Sequence, residues 1–556
     1  MTARTGRQRQ ASWNEPIIME MSVPGERGFI PPGLDPEMGA PESDALGAVV
    51  GATAGVAGRD GTTGSERSVA EMIPAGIRRV APPCLPEMAQ PRVLRHYTRL
   101  SQEVLGNDVS IDIGKGTCTL KYSPKVNERA ARLPEMADIH PSQPEETVQG
   151  TLQIMYEFEQ MMKVISGMDR FSFQPGGGSQ AIYANARLFR AYHGKRGEGA
   201  VRDEVITTVF SHPVNAACPA TAGYRVITLL PGDKGYPDLD SLKGALSERT
   251  AGFMVTNPED TGIFNPEIDK FVQAVHDAGG LCAYDQANAN GILGMTRARD
   301  AGFDLCHFNL HKTFSGPHGS GGPGAAAMGA SAVLAGFLPV PLVERRGGAY
   351  RLVYDLPDSI GKVRAYHGAV QGVLRAYMWV LSLGAEGLRE VAETAVLNNN
   401  YVLKKMLEVP GVGIPYADRR RIEQVRYTFA KMLEDTGVST HDVRRRIPDL
   451  VTHYWTSHHP FLVPEPATIE PTESYSKQDL DEYVAAIRQV SDEAYASPEF
   501  VKTAPHDSTI HRIREEPLDD PGMWAMTWRG YQRKKVRGAY AGAGASGGTA
   551  DGQDPS

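Results

Sequence analysis

Residues 305–324 are LCHFNLHKTFSGPHGSGGPG. The first six residues form a short, mostly apolar run with the length and composition of a buried strand. The last ten, SGPHGSGGPG, are dense in glycine and proline, which regular elements do not tolerate. Lys312 stands between the two stretches. A long charged side chain belongs by default on a solvated face, so a lysine at the end of a buried strand needs a chemical reason.

Other β-rich runs lie upstream: GLCAYD (280–285), AGFMVTN (251–257), YRVITLL (224–230), EVITTVF (204–210) and RFSFQ (170–174). Between them AIYANARLFRAYHG (181–194), DLDSLKGALSE (238–248) and EIDKFVQAVHDAG (267–279) carry apolar residues at helical spacing. Strand and helix in alternation predict βαβ units and a mostly parallel sheet with flanking helices. In such sheets ligands sit at the carboxyl ends of the strands. A helix is expected over 147–167 and another over 369–407, leading into a smaller α+β region that ends in KQDLDEYVAAIRQVSDEAYASP (477–498). The resulting division is an N-terminal arm over 1–97 with a disordered insert at 34–66, a large α/β domain over 98–345, a smaller α+β domain over 346–530 and a basic, glycine-rich tail over 531–556.

The totals fit this picture. The chain has 556 residues, 41% of them hydrophobic, and a formal charge of -8. That charge is mild for the length and points to neither nucleic acid nor a membrane. Five cysteines (Cys84, Cys118, Cys218, Cys282 and Cys306) without paired spacing imply no disulfide framework, no metal site and a cytoplasmic setting. No apolar stretch approaches the roughly 20 residues of a membrane helix.

The strand ends carry the chemistry. RFSFQ runs into PGGGSQ (Pro175–Gln180) and a helix; glycines opening a helix suit a phosphate, although a tight turn looks the same. His212 follows one strand, Asp285 ends another, and Lys312 ends a third. Taken singly, the histidine can be structural and the aspartate a metal ligand, a cap or the partner of a protonated ring nitrogen. Taken in order, a phosphate loop, a stacking ring, a carboxylate and an amine fit pyridoxal 5′-phosphate (PLP). A Walker loop does not fit, because Lys312 precedes its glycines.

Longer segments carry a resemblance: NEPIIMEMSVPGERGF, LRHYTRLSQ, HPSQPEETVQGTLQIMYE, NLHKTFSGPHGSGGPG, SIGKVRAYHG and EPTESYSKQDLDEY. The chain resembles the PLP-bearing subunit 2 of glycine dehydrogenase (decarboxylating), the P-protein of the glycine cleavage system. The resemblance implies fold type I of the PLP-dependent transferases, with a seven-stranded-type sheet. It implies Lys312 as the Schiff-base lysine, Asp285 beside the pyridine nitrogen, and His212 and Ala287 on the two ring faces. Gly177, Gly178 and Ser179 would hold the phosphate, and Asn309 and His311 would line the pocket. A homodimer, or a heteromer with a homologous subunit, is implied as well.

Pocket segments depart from the family pattern. IGKGTCTLKYSP brings Lys115, TNPEDTGIFN brings Glu259 and Asp260, and DQANANG brings Gln286. VTHYWT keeps His453 and adds Tyr454 and Trp455. A pocket shaped for glycine excludes side chains, so changes at strand ends point to another α-amino acid, with elimination, replacement or C–C bond formation in specialised metabolism and possible use of a second co-substrate. The alternatives are glycine decarboxylation with transfer of an aminomethyl group to a lipoyl carrier, and a non-catalytic partner subunit.

Overall fold

The computed structural model describes residues 11–26, 28, 74–77, 85–106, 108–114, 121–318, 324–451, 462–509, 512 and 519–536. The insert at 34–66 and the glycine-rich end after 536 lie outside these residues. The chain divides into two compact units, one spanning 105–512 and one formed by 10–104 with 513–556.

The larger unit is built on a seven-stranded sheet: β1 (Arg170–Ser172), β2 (Glu204–Thr208), β3 (Arg225–Leu229), β4 (Thr250–Thr256), β5 (Leu281–Asp285), β6 (Leu305–Asn309) and β7 (Ala326–Ala330), in the order β1-β7-β6-β5-β4-β2-β3. The pairs β2–β3, β2–β4, β4–β5 and β5–β6 are parallel, whereas β7 runs antiparallel to both its neighbours. β1, β2, β4, β5 and β6 therefore end on one edge. β1 to β6 fall on the runs legible in the sequence. β7, AAMGA, has no β-branched or aromatic residue to mark it.

Helices α1 (Gln149–Ser166), α2 (Gly178–Lys195), α3 (Val214–Thr221), α4 (Leu239–Ala245), α5 (Ile268–Asp277) and α6 (Val370–Met406) flank the sheet. Strand alternation splits the core into two layers. Phe253, Val255, Cys282, Tyr284, Cys306 and Phe308 pack in one cluster with α1 and α5. Met254, Leu281, Ala283 and Leu305 point the other way and pack with Ile182, Leu188 and Phe189 of α2. α2 crosses so close that a Cβ on Gly252 would stand 2.4 Å from the Phe189 ring. Asp285, His307 and Asn309 continue the α2-facing rows of β5 and β6. This parity decides on which face of the sheet the site lies.

β8 (Leu342–Arg346) and β9 (Ala349–Val353) form a hairpin around Gly347–Gly348. Both glycines have positive φ, as a two-residue hairpin turn demands. α6 carries a break at Gly384 (φ 65°, ψ -174°). Beyond it, β10 (Val425–Thr428) pairs antiparallel with β11 (Pro466–Ile469), backed by α7 (Ala430–Thr436), α8 (Thr440–Arg446) and α9 (Lys477–Ala496). These elements form the small C-terminal domain, with its own core around Val425, Tyr427, Tyr483 and Ile487.

In the smaller unit, a helix over Gln90–Gln102 presents His96 and Arg99 to the buried carboxylate of Glu15, at 2.8 and 2.7 Å. The basic segment RGYQRKKV, expected as part of a tail, lies within a helix over Trp528–Val536, where Lys535 pairs with Glu20.

Candidate active site

His212, Asp285, Ala287 and Lys312 line one cleft at the carboxyl edge of the sheet, together with Phe210, Thr256, Pro258, Asp260, Asn288, Glu423 and Gln424. His212, Asp285 and Lys312 come from three different strand ends, and the parallel topology brings them together.

Asp285 is the electrostatic floor. Only 2% of its surface is exposed. Asn215 Nδ2 donates to its Oδ2 at 2.7 Å, Thr256 Oγ1 donates to the same oxygen at 3.3 Å, and the Ala287 amide donates to Oδ1 at 3.0 Å. The His307 Nε2 lies 3.3 Å from Oδ1. Burial pushes this carboxyl up, but the His307 and His212 rings, the Asn215 amide and the Ala287 N–H together outweigh it and hold Asp285 below its ordinary range. The two amide donors act whatever the charge of the rings. The floor of the cleft is therefore a carboxylate.

Lys312 is 7% exposed, in a turn whose ends are tied by Lys312 N–H to Asn309 C=O at 3.0 Å and Ser315 N–H to Lys312 C=O at 3.0 Å. Its neighbour is fixed from two sides. Thr313 Oγ1 accepts from the Ala289 N–H at 2.9 Å, and the Thr313 carbonyl accepts from Lys121 Nζ at 2.9 Å. Lys121 is buried, paired with Glu473 at 3.0 Å and set 4.5 Å over the Trp379 ring. Burial pushes its pKa down against the pull of Glu473. The small domain thus helps to fix the turn that carries Lys312.

The chain is 42% identical over 532 residues to the probable glycine dehydrogenase (decarboxylating) subunit 2 of Pyrococcus abyssi, covering 95% of this chain and 99% of that one. The chain belongs to the glycine dehydrogenase (decarboxylating) subunit 2 family. The corresponding protein of Alkaliphilus oremlandii is 43% identical over 432 residues, 78% of this chain and 87% of that one. Residues 391–512 match the family model for the glycine dehydrogenase C-terminal domain. An inhibitor-bound crystal structure of glycine decarboxylase (P-protein) shares the fold with TM-score 0.62 and 22% identity, covering 75% of this chain and 93% of that one. A NifS-like protein does so with TM-score 0.52 and 14% identity, over 68% and 98%. The fold is that of type I PLP-dependent enzymes.

The family is PLP-dependent, and this chain's residues fit that cofactor. Gly177 stands at the N-cap of α2 and offers no capping side chain. A Cβ on Gly178 would stand 2.9 Å from the Asn309 amide nitrogen. Asn309 is buried, and its Nδ2 donates to no acceptor among the described residues. A glycine cradle, an open helix N-terminus and an unsatisfied amide suit a phosphate. A buried carboxylate suits a protonated ring nitrogen, and Lys312 supplies the amine. His212 lines the cleft with its Nδ1 accepting from the Val214 N–H at 3.2 Å, which fixes the ring.

Other expected residues lie elsewhere. His311 lines another cavity, of about 410 Å³, together with Gly316, Gly324 and Arg364. Burial, then the Lys312 charge, pushes its pKa down to about 3. Glu259 and Gln286 are buried but do not line the cleft, whereas their chain neighbours Asp260 and Ala287 do. Ser179 lies in the first turn of α2, where its carbonyl accepts from the Cys218 thiol at 3.2 Å. Lys115, His453, Tyr454 and Trp455 lie outside the described residues. Sequence reasoning missed Asn215, Thr256 and His307. For His307 a signal existed: it shares strand parity with Asn309 and lies in register with Asp285.

Proposed function

We propose that this chain is a PLP-dependent enzyme acting at Cα of an α-amino acid, with glycine decarboxylation as its first activity. The reading is carried by one observation: Lys312, Asp285 and His212 meet in a single cleft within a family of that activity. The bound cofactor supplies an electron sink for the bond broken at Cα. Lys312 offers the amine that attaches the cofactor's carbonyl. Asp285 holds the proton on the ring nitrogen. His212 would cover the ring, and the Gly177–Ser179 turn with Asn309 would take the phosphate. With an amino acid bound, the Lys312 amine would stand in the same cleft, placed to move a proton at Cα. The relatives' designation as subunit 2 favours work beside a homologous subunit and a carrier that accepts the aminomethyl group.

A second reading, another amino acid as substrate, is favoured by Asp260, Glu423 and Gln424 on the cleft wall. Glycine has no side chain to meet such groups. Labelled bicarbonate separates the two: exchange of label into the carboxyl group of glycine supports the first, while its absence, with spectral change on adding a different amino acid, supports the second. Both require the absorbance band of a lysine-bound cofactor in the purified protein, lost in Lys312→Ala. A wild-type protein without that band would overturn the catalytic reading altogether.

A further inference from the structure

We propose that Arg364 supplies the fixed positive charge for the cofactor's phosphate at the Gly176–Gly178 turn, an inference that rests on the PLP reading above. Arg364 is nearly two hundred positions from that turn in sequence, and two glutamines bring it there. The Gln174 side chain accepts from the backbone N–H groups of Val363 (3.2 Å) and Arg364 (3.1 Å), and its amide donates to the Tyr366 carbonyl at 2.8 Å. Gln180, in the first turn of α2, donates to the Val363 carbonyl at 2.6 Å and accepts from the Gly176 N–H at 2.7 Å. Both ends of the glycine turn are thus stapled to the segment 363–366.

The guanidinium then lies against the turn. A Cβ on Gly176 would stand 2.3 Å from Arg364 Nη1 and 3.0 Å from Cζ. Gly176 has no positive φ to explain it, so the glycine is needed for this contact. Among the described residues no carboxylate pairs with Arg364 and no acceptor takes its side-chain N–H groups. A half-buried guanidinium without a counter-ion, beside an 18-residue helix N-terminus that no side chain caps, is an anion site lacking its anion. Asn309 gives independent support, because it is 5% exposed, its side-chain Nδ2 donates to no acceptor among the described residues, and that nitrogen is the atom nearest to where a Gly178 Cβ would stand.

Two oxyanions are available, the cofactor's phosphate and the substrate's carboxylate. The carboxylate is joined to Cα at the Lys312 cleft, whereas Arg364 lines the cavity of about 410 Å³ that also holds His311 and Gly324, beside the glycine turn. The phosphate is the group that belongs at a glycine turn opening a helix. The planar fork of arginine matches its oxygens two at a time.

The test is titration of cofactor-depleted protein with PLP and with pyridoxal, followed by absorbance. The wild type should bind PLP much more tightly than pyridoxal. Arg364→Met should weaken PLP about 10- to 100-fold, the worth of a hydrogen bond to a charged group, and leave pyridoxal unchanged. Arg364→Lys, which keeps the charge, should fall between. Equal loss for both ligands would mean that Arg364 only props the turn, and unchanged discrimination would mean that it plays no part. Unchanged PLP affinity with a raised KM for the amino acid would move it to the carboxylate. Each of these overturns the proposal. If Arg364→Met fails to fold, the lysine variant decides alone: discrimination equal to that of the wild type rejects the phosphate role if inorganic phosphate also fails to compete with PLP in the wild type. A wild type that binds neither compound would sink the PLP reading rather than this one.

Discussion

The cleft has two unlike sides. On the sheet side, Asp285 receives Asn215, Thr256 and the Ala287 amide, and the Lys312 turn is tied down at Asn309, Thr313 and Ser315. On the other side, the loop after β4 and the approach to β10 crowd buried acids. Glu259 and Glu423 are 3% and 2% exposed, and each has one carboxyl oxygen without a hydrogen-bond partner, as does the Gln424 side-chain oxygen. Burial, reinforced by Asp260 for Glu259 and by Glu470 for Glu423, pushes both carboxyls up to about 8. An unsatisfied buried polar atom costs about 1–3 kcal/mol. Both oxygens of Asp285 are met by donors, whereas Glu423 on the cleft wall and Glu259 behind it each keep an oxygen unmet. Glu259 and Asp260, which depart from the family pattern, lie on the second side, and Gln286, which departs as well, follows Asp285 on the first.

Breaking the satisfied side should have the largest effect. Asp285→Asn keeps the shape and the partners of one oxygen but removes the charge that keeps a ring nitrogen protonated. We expect kcat for carboxyl exchange, or for whichever amino acid proves active, to fall on the order of a hundredfold or more, with the absorbance of the lysine-bound cofactor retained. Residual activity above a tenth of wild type would show that the charge of Asp285 is not needed.

The second side rests on one buried ion pair, Asp260 with Arg426 of β10, at 4% and 1% side-chain exposure. It joins the loop after β4 to the small domain. Removing one member leaves a charge buried, so Arg426→Met should cost about 3–5 kcal/mol in urea unfolding. The double variant Arg426→Met with Asp260→Asn should recover most of that loss. Equal losses in the single and double variants would mean that packing of the arginine stem, not charge, holds the two elements together.

These two sides also explain what the sequence disclosed. Lys312, Asp285 and His212 were legible because each ends an apolar run whose period is unmistakable, and a parallel sheet must gather such ends. Asn215 and Thr256 were not, since their partner Asp285 lies 70 and 29 residues away and neither sits in a pattern of its own. Arg364 was hidden for the same reason, being placed by Gln174 and Gln180 across 183 to 190 residues. β7 stayed hidden because alanine and glycine give a strand no signature. The hairpin of β8 and β9 did carry its Gly347–Gly348 turn, but the flanking LVERR and AYRLV are too charged to stand out as strands. Glu259 and Gln286 show the limit of reading a pocket from a motif: adjacent residues at a strand end face opposite ways, and the motif names both.

The smallest effect we predict is the most direct measure of strain on the second side. A carboxyl raised from its ordinary 4.5 to about 8 keeps its proton in the folded chain over a window in which the unfolded chain has lost it. The folded state binds more protons there, so stability falls as pH rises through that window, and the loss is complete above about 8. Glu423 adds a decline of the same sign. Glu259→Gln cannot ionise, so its melting temperature should match that of the wild type near pH 5 and exceed it by about 2–4 °C above pH 8. A difference that is flat across this range would mean that Glu259 is ionised throughout and finds its compensation in the fold.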